Sequence, residues 1–267
     1  MSVILNLMKG LEFLSLSLGI DLGTVNTKAG VLGKGIIFEE PTLVARQKKK
    51  LGKPGPVFAF GTKAKNMAGK EPRQVEVAAP LGEGAIADFD ATTAFLKYLV
   101  KTVNQLPSRL PRVFKPTAVV AVGSGITEVE KRAVKTAAQG AGIGRVYLAE
   151  SPIVSAIGAG LEIEKPTGAF LVDVGGGTTE IAVISLGGIV LNRCLKMGGQ
   201  NLDEQIINFI RMKYGILIGL KSAEKVKIDI GSVVGDGKNE KEATVQGRDL
   251  ETGLPKSVEV SESEVRE

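Results

Sequence analysis

The residues with the clearest chemical potential lie in the segment VDVGGGTTEIAVI, residues 172–184. One apolar strand ends at Asp173, three glycines follow, and a second apolar strand resumes after Thr178 and Thr179. This pattern predicts a β-hairpin with a bare tip, because glycine tolerates tight turns and leaves the backbone amides accessible. Such amides and hydroxyls can converge on a phosphate, while a carboxylate can hold a metal ion through water. An ordinary glycine-rich turn has the same pattern, so this segment alone leaves both interpretations open.

A second segment, IDLGTVNTKAGVL at residues 20–32, repeats this design. Asp21 corresponds to Asp173 and Gly23 to Gly175, and hydroxyl side chains and another apolar strand follow in both segments. The two copies are separated by about the length of a domain. They predict two similar lobes, each of which offers an acidic side chain and a phosphate-binding hairpin to a shared cleft.

Composition is compatible with two lobes and restricts the chemistry. The chain has 267 residues, of which 43% are hydrophobic, so it can bury one large core or two smaller ones. It has no histidine, which excludes serine-histidine-acid triads and the usual zinc sites. The single cysteine, Cys194, excludes an intramolecular disulfide and is predicted to be a small core residue.

The charge pattern argues against nucleic acid as a partner. The net charge is +5, aromatic residues make up 4% of the chain, and tryptophan is absent. The densest basic run, residues 46–55, contains proline and glycine and lacks interleaved aromatic residues. We interpret it as a solvated surface loop, with attraction to acidic lipid headgroups as the alternative.

The N-terminal segment, residues 1–14, is apolar but is interrupted by Lys9 and Glu12. It lacks the roughly 20 apolar residues of a membrane span and the cleavage site of a secretory signal. On a helical wheel, one face is formed by Val3, Ile4, Leu7, Met8, Leu11 and Leu14. The pattern leaves open a helix at a membrane surface and a segment packed on the core of the protein.

The rest of the pattern predicts an α/β protein in which strands and helices alternate. Strands are expected at residues 117–122, 146–149, 168–173, 178–185 and 188–195, and helices near 61–69, 88–105, 201–214 and 221–229 and from about 127 and 151. Residues 36–86 carry short strand signals broken by prolines, which predicts a small inserted subdomain. Ser151 before Pro152 is predicted to cap a helix.

Other nucleotide-binding motifs do not fit. The chain has no GxxxxGK[ST] segment, which excludes a P-loop of the Walker type. QGAGIGR, residues 139–145, follows a helix and leads into a strand, whereas a dinucleotide-binding loop follows a strand and opens a helix. We interpret these glycines as the end of a helix.

Six segments, in this order, resemble the MreB family of bacterial actin homologues: IDLGTVNT, SGITEVEKRAV, AIGAGLEI, VDVGGGTTEIAVISLGGIV, GGQNLDE and EKVKIDIG. The hairpins alone would fit the whole superfamily of actins, heat-shock chaperones and sugar kinases. The longest segment and the insertion at 36–86 point to MreB. The resemblance implies a two-lobed, actin-like (ribonuclease H-like) ATPase fold of the α/β class. Lobe I would comprise residues 15–162 and lobe II residues 163–267, the second lobe being incomplete.

The resemblance also implies a site for ATP and Mg²⁺. The first phosphate loop would comprise Asp21, Gly23, Thr24 and Asn26, and the second Asp173, Gly175, Gly176, Gly177 and Thr178. The two aspartates would hold Mg²⁺ through water. Glu224 and Lys227, one helical turn apart, would meet the ribose and adenine; without the resemblance they would be interpreted as a surface ion pair.

For the membrane, the resemblance implies two apolar anchors. Val113 and Phe114 would form a loop that enters the bilayer beside the N-terminal helix, which would contribute Ile4, Leu7, Met8 and Leu11. Subunits would assemble into filaments on the cytoplasmic face of the inner membrane. Their partners there would be membrane proteins of cell shape and cell-wall synthesis.

Three departures from the family leave enzymatic activity open. Ser151 stands where the family has a glutamate that positions the attacking water, and Gln200 stands where an aspartate is usual. The chain also stops before a second glycine-rich loop that binds adenine in the family. The alternatives are a sugar or acid kinase, a chaperone-type ATPase, and a nonfunctional fragment. A chaperone would need a peptide-binding domain for which this chain has no room, and a kinase would need a further catalytic carboxylate.

Overall fold

The computed structural model describes residues 15–48, 54–105, 115–235 and 240–267. The chain divides into two compact units, one up to Lys196 and one from Met197. Within the described ranges, no helix has the length and apolar character needed to cross a membrane. The anchors at residues 1–14 and at Val113 and Phe114 lie outside the described residues. The lobe boundary after residue 162 stays a prediction.

The first unit alternates strands and helices. In chain order its elements are β1 (Ser17–Leu22), β2 (Asn26–Val31), β3 (Gly35–Pro41), β4 (Val44–Lys48), β5 (Pro54–Phe60), α1 (Gly61–Met67), β6 (Val75–Ala78), β7 (Leu81–Gly82), β8 (Ala85–Ile86), α2 (Phe89–Asn104), β9 (Thr117–Val122), α3 (Glu128–Gly140), β10 (Arg145–Glu150), α4 (Ser151–Gly158), β11 (Ala169–Val174), β12 (Thr179–Ser185) and β13 (Gly188–Leu195). The helix predicted near 61–69 is α1.

A five-stranded sheet in the order β10-β9-β1-β2-β3 forms the main core of this unit. β1 runs parallel to β9 and antiparallel to β2, so the first hairpin continues directly from the centre of the sheet. Alternate residues such as Leu18 and Ile20 are buried against α2, whose Phe95 and Leu99 are fully buried. The buried sheet thereby fixes the position of Asp21, which lies near the end of β1.

β3, at the start of the segment predicted as an insertion, belongs to the five-stranded sheet, and only β4, β5 and β6 form a separate small sheet. Its strands have the order β5-β4-β6, and α1 packs on them through a core of Ala45, Ala59 and Ala64. After this sheet, the short hairpin of β7 and β8 leads into α2.

A second sheet, β11-β12-β13, is antiparallel throughout. One face buries Ala182 and Ile184 against Ala156 of α4. The opposite face is apolar and exposed, with Phe170 and Val172 on β11. Cys194 is exposed, so its prediction as a core residue is wrong. The reason is that β13 is an edge strand on which nearly every residue is exposed.

The second unit is smaller. Its elements are α5 (Gly199–Tyr214), β14 (Ile216–Leu217), α6 (Leu220–Ile230), β15 (Glu242–Asp249), β16 (Pro255–Ser261) and α7 (Glu262–Arg266). The strands form an antiparallel sheet, on which α5 and α6 pack through Ile210, Val226 and Val260. α5 ends at Gly215, which has a left-handed φ of 66°, as glycine after a helix commonly does.

Glu264 forms hydrogen bonds in this unit that depend on its carboxylate being ionised. Its carboxylate accepts hydrogen bonds from the Lys213 side chain, the Ser261 amide and the Tyr214 hydroxyl. These hydrogen bonds lower the pKa of Glu264 from 4.5 to about 2, and the bond from Lys213 has the largest effect. A carboxyl whose pKa is lower in the folded state stabilises the fold above its unfolded pKa. This stabilisation is lost as pH falls through the folded pKa.

We expect Glu264→Gln to lower stability at neutral pH by about 1 kcal/mol, since the contact is partly exposed to solvent. The variant should also depend less on pH between 4.5 and about 2 than the parent does. Urea unfolding at several pH values, followed by circular dichroism, measures both effects. Glu259→Gln, which alters an exposed carboxylate on β16, is the control. Equal pH dependence in the parent and the Glu264 variant would contradict the expectation.

Candidate functional site

The two glycine hairpins have the same register. Leu22 pairs with Thr27 at the end of the first hairpin, and Val174 pairs with Thr179 at the end of the second. Both turns therefore contain four residues, and each aspartate directly precedes the last paired residue of its first strand. The repeat seen in the sequence is thus a repeat of backbone structure.

Each turn requires glycine at its first position. A Cβ atom on Gly23 would lie 2.5 Å from the carbonyl oxygen of Asn26, and one on Gly175 would lie 3.0 Å from that of Thr178. The Gly175 amide donates a hydrogen bond of 2.8 Å to the same Thr178 oxygen. The glycines therefore allow the chain to close a tight turn.

The tips of the two hairpins touch each other within the first unit. A Cβ on Gly176 would lie 2.1 Å from Cγ2 of Val25, and one on Gly177 would lie 2.9 Å from Cγ2 of Thr24. Side chains at these positions would separate the tips. The structure therefore brings together the two loops that were predicted to bind phosphate, and glycine is what permits their approach.

A third turn, which the sequence analysis missed, touches both hairpins. Gly84, between β7 and β8, donates its amide to Oγ1 of Thr24 at 3.2 Å. A Cβ on Gly84 would lie 3.0 Å from Cγ2 of Thr178, and its φ of 78° favours glycine in any case. The positive φ of Glu83 marks the same tight turn. The glycines in LGEG were the available signal, but they did not reveal which segments the turn contacts.

The two aspartates repel each other. Asp21 is in contact with solvent, but neighbouring protein atoms displace part of the water around its carboxylate. This desolvation raises the pKa of Asp21, the negative charge of Asp173 raises it further, and Lys28 opposes both effects. A cation placed between the carboxylates would relieve the repulsion.

This donor set fits Mg²⁺ carried by a phosphate ligand. The described residues include no group of three or more Cys, His, Asp or Glu side chains that could hold a metal. Mg²⁺ commonly keeps several waters and binds one or two carboxylates together with the phosphates of its ligand. Asp21 and Asp173, beside the two glycine turns, have this character.

Helix α4 lies beside the second hairpin. It starts at Ser151, and Glu150 is the N-cap, with extended φ and ψ of −71° and 129° and no side-chain capping bond to any described residue. The prediction that Ser151 caps the helix is therefore wrong. The helix starts at Ser151 itself, one residue earlier than a cap at Ser151 would allow, because β10 runs directly into it. Ser155, one turn later on the same face, donates to Oδ2 of Asp173 at 2.6 Å.

Glu180 is a second residue that the sequence analysis missed. Although it is charged, it is only 5% exposed. Its Oε1 accepts hydrogen bonds from the amide of Ser124 at 2.8 Å and from the hydroxyl of Ser124 at 3.0 Å. Glu180 thereby connects the second hairpin to the loop that follows β9.

Glu224 and Lys227 lie one turn apart on α6 in the second unit. Nζ of Lys227 lies 2.8 Å from Oδ1 of Asp203, which is 6% exposed, and also donates to the carbonyl of Gly199 at 2.8 Å. Lys227 is thus held at the first turn of α5, where Gln200 also lies. Contact of Glu224 and Lys227 with a nucleotide stays a prediction.

We expect Gly176→Ala to destabilise the first unit by about 1–3 kcal/mol, the usual range for overpacking, because the new Cβ would clash with Val25. Gly158→Ala is the matched control, since a Cβ there meets nothing within 4 Å. Thermal unfolding of both variants and the parent measures the difference. Equal stability of the two variants would mean that the tips do not touch in solution.

Several known proteins that are similar to this chain belong to one family. The model of the MreB/Mbl protein family matches residues 15–267. The cell shape-determining protein Mbl of Bacillus subtilis is 43% identical over 251 residues, which cover 94% of this chain and 72% of Mbl. The cell shape-determining protein MreB of Escherichia coli is 43% identical over 250 residues, which cover 94% of this chain and 71% of that protein.

Solved structures give the same result for the fold. The ADP-bound crystal structure of MreB5 of Spiroplasma citri has a TM-score of 0.86 and 37% identity, covering 94% of this chain and 73% of that one. The AMPPNP-bound structure of the same protein has a TM-score of 0.84, with the same identity and coverage. The double helical filament of MamK, at 22% identity and a TM-score of 0.73, shows likeness of fold alone. The predicted actin-like fold is confirmed.

Proposed function

The chain belongs to the MreB/Mbl family of actin-like, cell shape-determining proteins, and we propose that it binds ATP with Mg²⁺ at the paired hairpins and assembles into filaments. The observation that carries the nucleotide proposal is the contact of the two glycine tips beside two carboxylates that repel each other. The solved MreB5 structures with ADP and AMPPNP support it by likeness.

Each group at the hairpins has a proposed task. Amides of Gly176 and Gly177 donate to phosphate oxygens, because consecutive backbone amides form anion-binding concavities, and Gly175 closes the turn by donating its own amide to Thr178. The first loop acts in the same way through Gly23, Thr24 and Asn26, and the hydroxyl of Thr178 adds a further donor. Asp21 and Asp173 accept hydrogen bonds from water bound to Mg²⁺, which offsets the negative charge of the phosphates. Glu224 and Lys227 hold the ribose and adenine.

In the cell, filaments of this protein are proposed to lie on the cytoplasmic face of the inner membrane. There they organise the membrane proteins of cell-wall synthesis and thereby determine cell shape. The names of the Bacillus subtilis and Escherichia coli relatives, both cell shape-determining proteins, support this role.

Sedimentation of the purified chain tests assembly. We propose that protein moves into the pellet when ATP and Mg²⁺ are added and stays in the supernatant when EDTA removes the metal. Electron microscopy of the pellet distinguishes filaments from amorphous aggregate. If the chain binds ATP but forms no filaments at any protein concentration, the assembly proposal is wrong. If it neither binds ATP nor assembles, both proposals are wrong.

Membrane attachment is tested by liposome cosedimentation. Deleting residues 1–14 and replacing Phe114 with serine removes both proposed anchors, and a single shallow apolar anchor gives only reversible binding. We expect the altered protein to stay largely in the supernatant with acidic liposomes. If it binds as well as the parent does, the lysines at 48–50 become the better candidates for the attachment site.

A further inference from the structure

Ser155 contacts the carboxylate at the centre of the second hairpin. Its hydroxyl donates to Oδ2 of Asp173 at 2.6 Å, and both side chains are half-buried. Hydrogen bonds between a hydroxyl and an ionised carboxylate are short and stronger than neutral ones, and this distance is in their range. The bond joins α4 to β11 across 18 residues of sequence.

The backbone that carries Ser155 is fixed by its neighbours. Ala156, the next residue, is fully buried with Ala182 and Ile184, and Ile153 packs against the same cluster. These apolar contacts fix the rotation and height of α4 on the sheet. The Ser155 hydroxyl therefore reaches Asp173 from a rigid support, as a positioning residue must.

We propose that Ser155 is a positioning residue that orients the Asp173 carboxylate for Mg²⁺, an inference that rests on the proposed nucleotide site. A carboxylate can rotate about its last side-chain torsion, which has broad preferences. The negative charges of Asp21 and Asp173 repel each other, so an unsupported Asp173 carboxylate would rotate away from Asp21. The bond from Ser155 holds Oδ2 in one position. Because the carboxylate is planar and rigid, this also sets the direction of Oδ1.

The hydroxyl is not needed by the helix itself. Alanine is a better helix former than serine, because serine hydroxyls compete for backbone hydrogen bonds. Helix α4 also packs through apolar neighbours of Ser155 rather than through its hydroxyl. Removing the hydroxyl should consequently leave the fold intact and alter only the orientation of Asp173.

Binding of a fluorescent ATP analogue during a titration with MgCl₂ tests the proposal. We expect Ser155→Ala to raise the Mg²⁺ concentration for half-maximal binding by about tenfold, the lower end of the effect of losing a partner of a metal-binding side chain. Binding of the same analogue in EDTA should not change. Ser155→Thr keeps the hydroxyl and should restore the Mg²⁺ requirement of the parent.

The control is Ser185→Ala, which removes a hydroxyl that bonds the carbonyls of Lys165 and Pro166. It should leave the Mg²⁺ requirement unchanged. An unchanged requirement in Ser155→Ala would overturn the proposal, as would equal weakening with and without metal, which indicates a merely structural role. If the parent itself binds no analogue at any Mg²⁺ concentration, the nucleotide site is wrong and the role of Ser155 falls with it. Binding by the parent with no difference among the variants would reject the role of Ser155 alone.

Discussion

Replacing Ser151 with glutamate should raise the rate of ATP hydrolysis by about 100- to 10,000-fold, the usual contribution of a general base. A serine hydroxyl is not ionised near neutral pH, so it cannot act as the charged acceptor that orients and activates water. The structure places Ser151 at the start of α4, one helical turn before Ser155, whose hydroxyl bonds Asp173. Glutamate is also well tolerated in the first turn of a helix, where it faces the positive end of the dipole.

Phosphate release at saturating ATP and Mg²⁺ measures this gain. Ser151→Gln is the matched control, because glutamine has the size of glutamate without its charge, and it should give little or no increase. If Ser151→Glu binds ATP normally but turns over no faster than the parent, another residue positions the water. The assignment of the catalytic position to Ser151 would then be wrong.

Asp173→Ala should lower the affinity for ATP in the presence of Mg²⁺ by about 10- to 100-fold. The variant loses one of the two carboxylates proposed to hold the metal through water, and it also loses the acceptor of the Ser155 bond. Calorimetry with ATP and Mg²⁺ measures the change. Asp173→Asn, which keeps the shape and an acceptor oxygen but removes the charge, should show most of the loss if the charge is what matters.

Glu162→Ala controls for the general loss of a negative charge, since Glu162 forms an exposed ion pair with Lys165. Its affinity for ATP should equal that of the parent. Equal affinities for the parent and Asp173→Ala would remove Asp173 from the site. Filament assembly that persists in Asp173→Ala would separate assembly from metal-assisted binding.

Much of the fold could be predicted because its signals are local. The two Asp-apolar-Gly segments define their hairpins within about a dozen residues each, and strand β9 was predicted at its observed residues, Thr117–Val122. Thr127 and Glu130 form a capping box that starts α3, a signal that local sequence also carries. The resemblance to MreB rests in part on the two hairpin segments and on the segment that contains this capping box.

The contacts that complete the candidate site could not be predicted, because they join distant parts of the chain. The bond from Gly84 to Thr24 spans 60 residues, and that from Ser124 to Glu180 spans 56. A local pattern indicates that Gly84 makes a turn but not what the turn touches. The same limit explains the error at Cys194, since its exposure depends on which strand lies at the edge of the sheet.

Direct measurement of ATP binding with and without Mg²⁺ tests the central claim, that the paired hairpins form a metal-dependent nucleotide site. Calorimetry on the folded, purified chain should show saturable binding of ATP in Mg²⁺ that weakens strongly in EDTA. Folded protein that binds no ATP at any Mg²⁺ concentration, or binds it equally well in EDTA, would contradict the account.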